Sequence, residues 1–255
     1  MSDPLLVATD LTKTFGGITA VDGASLTVDE GDIVGLIGPN GAGKSTTFDL
    51  LTGFLEPDAG TVRFDGETVT RLAPEERASR GMVRTFQMSR ELTGMKVREN
   101  VRLGVQDHPG ETALASLLRT GAAADAEAAA GDRAEELLKR LDLWELRDEY
   151  AGNLSGGQRK LLELARAFVT DPDLLLLDEP MAGVNPSLTD DLLDFVRELR
   201  AEGTTFLVVE HDMDVIMSIS DEIIGMHNGD VLTRGTPEEV QQDEALLEAY
   251  LGGAV

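Results

Sequence analysis

Residues 38–46 read Gly38-Pro39-Asn40-Gly41-Ala42-Gly43-Lys44-Ser45-Thr46 and follow the pattern G-x-x-x-x-G-K-[ST]. Glycines let a backbone wrap closely enough for several N–H groups to point at one anion. A helix opening at that point adds the partial positive charge of its first turn. Lys44 is then placed to reach the outer phosphates of a nucleotide, and the Ser45 hydroxyl to ligate Mg²⁺. A second group follows an apolar run. Leu174 to Leu177 is followed by Asp178, Glu179 and Pro180. A parallel sheet presents ligands at the carboxyl ends of its strands. Asp178 would face the Mg²⁺ shell beside Ser45, and Glu179 would orient or deprotonate a water. In a third group, Asn153-Leu154-Ser155-Gly156-Gly157-Gln158 precedes the helical run Arg159 to Val169. A hydroxyl, close backbone approach and a helix N-terminus make that segment a second anion site.

The elements that must hold these groups are legible in outline. Residues 5–37 read as strands, with Ile33 to Ile37 a short buried run ahead of the glycine loop. Residues 45–53 read as a helix that stops at Gly53. Thr61 to Phe64 is a strand ended by the hairpin pair Asp65-Gly66. Residues 95–170 read as mostly helical. Within them Gly121 to Gly131 is rich in alanine and carries no bulky apolar residue, so an exposed helix or a mobile connection is expected. Leu137, Leu138, Leu141 and Leu143 mark a packed face. The run Leu174 to Leu177 suits a strand covered on both faces. Residues 187–200 are helical, and Thr205 to Val209 is another buried strand. Ile223 to His227 and Val231 to Arg234 flank the tight-turn pair Asn228-Gly229. Thr236-Pro237-Glu238-Glu239 has the form of a helix start. No internal repeat is visible.

Composition bounds the rest. The chain has 255 residues, 42% of them hydrophobic, enough for a real core. The longest purely aliphatic run is far short of the ~20 apolar residues of a membrane span. Asp3 and Pro4 come directly after Met1-Ser2, so no signal peptide is expected. With no cysteine, disulfides, thiolate metal sites and cysteine nucleophiles are excluded. Asp and Glu number 47 against 22 Lys and Arg, a formal net charge of −25. That balance lacks the positive face a nucleic-acid partner needs, and none is expected. It suits a salty cytoplasm, where screening makes self-repulsion tolerable. His108 and His227 are read as surface residues.

With its motifs in this order, the chain resembles the ATP-binding subunits of ABC transporters over about residues 5–251. The resemblance implies an α/β fold: a P-loop NTPase (RecA-like) core, an antiparallel β subdomain and an α-helical signature subdomain. It implies one ABC ATPase domain over 1–255. Its β and core parts would be about 1–87 and 171–234, its helical subdomain about 88–170, and its C-terminal helix 235–255. Gly38 to Thr46 looks like the Walker A loop and Leu154 to Gln158 like the signature. Asp178 and Glu179 look like the Walker B aspartate and the catalytic glutamate. Gln87, within Arg84-Thr85-Phe86-Gln87, looks like the Q-loop glutamine, a contact of Mg²⁺ and water. His211 looks like the switch histidine at the γ-phosphate, and Phe15 like the aromatic that stacks on adenine. Met181 to Pro186, Arg84 to Gln87 and Ala249 to Gly252 are similar to the branched-chain amino acid branch, near urea and amide importers. Asn185 stands where the wider family usually has aspartate.

The resemblance further implies ATP and Mg²⁺ as ligands, and a second ATP-binding subunit, identical or not, whose ATP meets Leu154, Ser155, Gly156, Gly157 and Gln158. Membrane permease subunits and, indirectly, an extracellular solute-binding protein would be partners. The chain would sit in the cytoplasm, peripheral on the inner face of the cell membrane. A soluble ABC ATPase of the iron–sulfur assembly type, with no transported solute, is the alternative.

Overall fold

The computed structural model describes residues 3–85, 90–104 and 121–252. They form two compact units. The first comprises the chain up to Arg84, Asp173–Met181 and everything from Val196; the second comprises Thr85–Pro172 and Ala182–Phe195.

The first unit is built on two sheets. One is antiparallel, in the order β2-β1-β4-β5, from β1 (Leu6–Phe15), β2 (Ile18–Val28), β4 (Ala59–Phe64) and β5 (Glu67–Thr68). Alternation, reset where the β1–β2 register shifts between Ala8 and Leu11, explains its covered face: β1 buries Leu6, Ala8 and Leu11, and β2 buries Val21, Ala24, Leu26 and Val28. The other sheet has the order β10-β9-β3-β8-β7-β6. Its strands are β3 (Ile33–Ile37), β6 (Met82–Arg84), β7 (Leu174–Asp178), β8 (Thr205–Val209), β9 (Glu222–His227) and β10 (Asp230–Gly235). All neighbours are parallel except β10, which runs antiparallel to β9. Continuous apolar strands such as β3 and β8, buried at every position, are what a parallel sheet covered on both faces requires. Leu6, Leu26 and Phe64 of the first sheet share one core with Leu36, Leu176, Val209 and Met226 of the second and with Phe48 and Leu51 of α1 (Lys44–Thr52). The antiparallel sheet and the six-stranded sheet thus belong to one compact unit and share one core. Both sheets bury their apolar faces against the same helix.

Helix α1 ends where Gly53 turns left-handed at φ 83°. Beyond it, α2 (Pro74–Ala78) carries Arg77, a fully buried arginine. Its guanidinium donates to the carbonyls of Leu50 and Leu51 in the last turn of α1, and to those of Thr70 and Leu72. Burial pushes its pKa down to about 10. After α7 (Met213–Ile219), the expected single C-terminal helix is two, α8 (Pro237–Gln241) and α9 (Glu244–Gly252). Asp243 separates them, its carboxylate accepting from Leu246 N–H and from the Thr233 hydroxyl. Thr236 and Glu239 close a reciprocal capping box at the start of α8.

The second unit is helical. It holds α3 (Val97–Arg102), α4 (Gly121–Arg140), α5 (Gly156–Phe168) and the start of α6 (Pro186–Ala201). Val97 and Val101, Leu137 and Leu138, and Leu161, Leu162 and Leu164 are buried. The rings of Phe168 and Phe195 meet edge-on at 6.2 Å. Residues 182–195, expected with the core, group instead with this helical unit. Gly121 to Gly131 belongs to α4, whose Ala130 is buried.

Candidate functional site

The carboxyl ends of β3, β7 and β8 converge on one cavity of about 450 Å³. Ala20, Asn40 to Thr46, Glu179, Val209 and His211 line it. The glycine loop enters it because Gly38 and Gly43 have positive φ, 152° and 102°. A Cβ at Gly43 would stand 2.6 Å from the Ala20 carbonyl, and one at Gly38 would strike the Met226 carbonyl. Asn228-Gly229, both with positive φ, close the β9–β10 hairpin against the loop. Gly229 N–H donates to the Ala42 carbonyl at 3.0 Å, and the Gly229 carbonyl accepts from Asp22 N–H. His227, just before that turn, is half-buried rather than a surface residue. It lines a neighbouring cavity with Pro39 to Ala42.

Lys44 is buried, its ammonium donating to the carbonyls of Gly38 at 2.7 Å and Pro39 at 3.2 Å. Burial lowers its pKa, and the negative charges of Glu179 and Asp178 act against that shift. Ser45 and Thr46 follow in the first turn of α1 with Ser45 exposed. Across the cavity, His211 Nε2 lies 2.6 Å from Glu179 Oε1. Glu179 holds a left-handed backbone, φ 49°, a strained state for a long side chain that tends to persist at functional sites. Its N–H donates to the Val209 carbonyl, which fixes the turn to the end of β8.

Two residues near this site carry no motif of their own. Glu210 is buried; its carboxylate accepts from Met181 N–H at 2.7 Å and from His211 N–H at 3.3 Å. Burial pushes its pKa up, while those two donors pull it back. Arg84, the last residue of β6, donates through Nη2 to Asp178 Oδ2 at 2.8 Å and through Nη1 to Asp49 Oδ1. Only the chance of a buried carboxylate next to His211, and of an arginine opening the Arg84-Thr85-Phe86 run, hinted at either.

The loop Asn40 to Thr46, Glu179 and His211 are thus brought together. Gly38 and Pro39 form the base of the loop, and Asp178 ends β7 one residue before Glu179, its carboxylate held by Arg84. Phe15 does not line the cavity. It stands 45% exposed at the end of β1, with Lys13 Nζ 5.8 Å from its ring centroid. Gln87 and His108 lie outside the described residues. Leu154 to Gln158 belong to the helical unit. There Ser155 caps α5: its hydroxyl accepts from Gln158 N–H, and Gln158 Oε1 accepts from Ser155 N–H. Leu154 is buried. A Cβ on Gly157 would strike Leu188, whereas one on Gly156 would meet open space.

Hard oxygen donors from one hydroxyl and one carboxylate suit Mg²⁺, which keeps its waters and takes the rest of its shell from substrate phosphates. Among the described residues no group of three or more His, Asp or Glu forms a dedicated metal cage. Ser45 and Asp178 are the residues that could hold Mg²⁺.

Comparison with known proteins agrees with this geometry. Residues 21–182 match the family described as ABC transporter. The chain is 43% identical, over all of both sequences, to the high-affinity branched-chain amino acid transport ATP-binding protein BraF of Pseudomonas aeruginosa. It is 41% identical, again over all of both, to LivG of Escherichia coli K12, which has the same description. It is 40% identical over 97% of each chain to a probable LivG of Methanocaldococcus jannaschii. Among solved structures, an ATP-binding cassette of an ABC transporter in its ADP conformation superposes with a TM-score of 0.85. That match has 38% identity and covers 98% of this chain and all of the other. A nucleotide-free cassette gives the same TM-score at 39% identity, covering 97% of this chain and 99% of the other. A nucleotide loop and a carboxylate–imidazole pair on one parallel sheet, and full-length likeness to such cassettes, make this chain a member of the ABC transporter family.

Proposed function

We propose that the chain is the ATP-hydrolysing subunit of an importer for branched-chain amino acids or related amides. The observation that carries the reading is the single cavity that gathers Lys44, Ser45, Glu179 and His211 at the carboxyl ends of three parallel strands. The solute rests on the names of the full-length relatives. The relatives named above are described as branched-chain amino acid transport proteins, which supports an importer over the iron–sulfur assembly alternative.

The roles follow from the chemistry of each group. The N–H groups of Gly41 to Thr46 and the Lys44 ammonium would hold the phosphates, because phosphoryl transfer is mostly positioning and charge stabilisation. Mg²⁺, carried by Ser45 and Asp178 with Gln87 as a further contact, would neutralise charge on the phosphate oxygens. Glu179 Oε1 would accept a hydrogen bond from the attacking water. His211, paired with that same oxygen at 2.6 Å, would orient the carboxylate and meet the γ-phosphate. Phe15, exposed at the end of β1, would stack on adenine. Leu154, Ser155, Gly156, Gly157 and Gln158 would complete the site of a second ATP-binding subunit, so each ATP would be held between two chains.

No described helix is long and apolar enough to cross a membrane. Attachment to the inner face of the cell membrane would therefore run through permease subunits, with an extracellular solute-binding protein acting indirectly. The net charge of −25 supports a working environment of concentrated salt.

The solute assignment is tested by uptake of labelled leucine, isoleucine and valine in a strain lacking this chain. Uptake should be lost, and return with the parent gene but not with Lys44→Ala. Unchanged uptake in the deletion strain would overturn the solute while leaving the ATPase reading standing.

A further inference from the structure

Asp178 is held by an arginine that no part of the nucleotide loop supplies. Arg84 ends β6, the edge strand next to β7, and the register pairs it with Leu176, two residues before Asp178. Its guanidinium is a fork with two separate duties. Nη2 donates to Asp178 Oδ2 at 2.8 Å, and Nη1 donates to Asp49 Oδ1 and, at 3.5 Å, lies near the Thr52 hydroxyl. Asp49 and Thr52 both belong to α1, the helix whose first turn carries Ser45. The rings of Phe48 and Phe54 lie 5.7 and 5.9 Å from the guanidinium carbon. The arginine side chain is only 13% exposed. An arginine fixed on so many sides gives up little further freedom when it grips a carboxylate, and its planar fork can bind two acceptors that a lysine cannot span.

We infer that Arg84 is the positioning residue for the metal site: it fixes the rotation of the Asp178 carboxylate and the spacing between that carboxylate and the helix bearing Ser45. This rests on the proposed role of Asp178 as a metal ligand. With Oδ2 taken by Arg84, Oδ1 is the oxygen left for the cation. The arrangement has a cost in charge, since a guanidinium beside a ligand carboxylate repels a divalent cation. Orientation outweighs that repulsion here because Mg²⁺ demands near-ideal octahedral geometry and tolerates a swinging ligand poorly. Groups that orient metal ligands from behind commonly change metal affinity about 10- to 100-fold when removed.

The test is a titration with Mn²⁺, followed by water-proton relaxation, on the full chain saturated with a non-hydrolysable ATP analogue. Arg84→Met should weaken Mn²⁺ binding about 10- to 100-fold. Its affinity for the analogue measured in EDTA should stay at the parent value. Arg84→Lys, which keeps the charge but cannot bridge, should recover only part of the loss. Asp49→Ala, which removes the carboxylate that ties Nη1 to α1 and leaves the bond to Asp178 in place, should give an intermediate loss and carries the test if Arg84→Met fails to fold. Parent Mn²⁺ affinity in these variants, full rescue by lysine, or an equal fall of analogue affinity in EDTA would each overturn the inference. Asp178→Asn in the same titration separates the two claims. If it binds Mn²⁺ like the parent, the ligand role of Asp178 fails. If it loses Mn²⁺ while Arg84→Met does not, only the role of Arg84 fails.

Discussion

At the scale of single residues, the site divides into groups that announce themselves and groups that do not. Lys44, Ser45, Asp178 and Glu179 were legible because their chemistry depends on local chain geometry: a glycine loop between strand and helix, and carboxylates at a strand end. Glu210 was not legible. Its two partners, the N–H groups of Met181 and His211, belong to a residue 29 positions away and to its neighbour, joined only when β7 and β8 pair. It ties the turn after Glu179 to the backbone of His211, and so sets the carboxylate–imidazole pair indirectly. Glu210→Ala leaves the buried Met181 N–H and the part-buried His211 N–H without their acceptor. Steady-state kinetics should show kcat for ATP hydrolysis falling at least about 10-fold, the scale of one or two lost buried hydrogen bonds, with KM changed much less. Glu210→Gln keeps an acceptor oxygen and should retain most of the rate. Equal loss in both variants would mean that charge, not positioning, is what Glu210 contributes.

At the scale of elements, strands and helices were readable where period and punctuation agree. The buried runs of β3, β7 and β8, the stop at Gly53, the paired left-handed turn at Asn228-Gly229 and the capping box at Thr236 all lie within a few residues of sequence. What escaped is set by long-range contact. The helix broken at Asp243 depends on a hydroxyl from β10. The grouping of 182–195 with the helical unit depends on packing such as Phe168 on Phe195. Arg77 is the plainest case, a charged residue in a short polar helix that turns inward to cap α1. Four backbone carbonyls accept from it. Cations favour helix C-termini, and here the opposite end of the same helix is the phosphate loop. Arg77→Met would deprive the buried Leu50 and Leu51 carbonyls and the part-buried Thr70 and Leu72 carbonyls of this donor. Urea unfolding should show a loss of about 3 kcal/mol or more. A loss under about 1 kcal/mol would mean that water or a rearranged loop replaces the guanidinium.

At the scale of the whole molecule, family and activity were readable from the order of motifs along the chain. Which side chains of the two sheets meet in their shared core was not, since contacts such as Leu26 and Phe64 with Leu176 and Met226 join residues far apart in the chain. The charge of −25 acts on the entire molecule. At 1 M salt the screening length is about 3 Å, so self-repulsion among carboxylates largely vanishes. Thermal melts over a potassium chloride series should show the midpoint rising into the molar range; a flat or falling midpoint would contradict adaptation to salt. The central claim concerns what the assembled site does to ATP, and Glu179→Gln tests it most directly. The amide keeps the shape and hydrogen bonding of the side chain but cannot take a proton. Lys44, Ser45 and Asp178 are untouched, so ATP should still bind, and the ATP-loaded chain should elute as a dimer. The measurement is ATP turnover by Glu179→Gln against the parent at saturating ATP and Mg²⁺. The account predicts a fall of about 10²- to 10⁴-fold with ATP retained on the protein. Hydrolysis at the parent rate would contradict it.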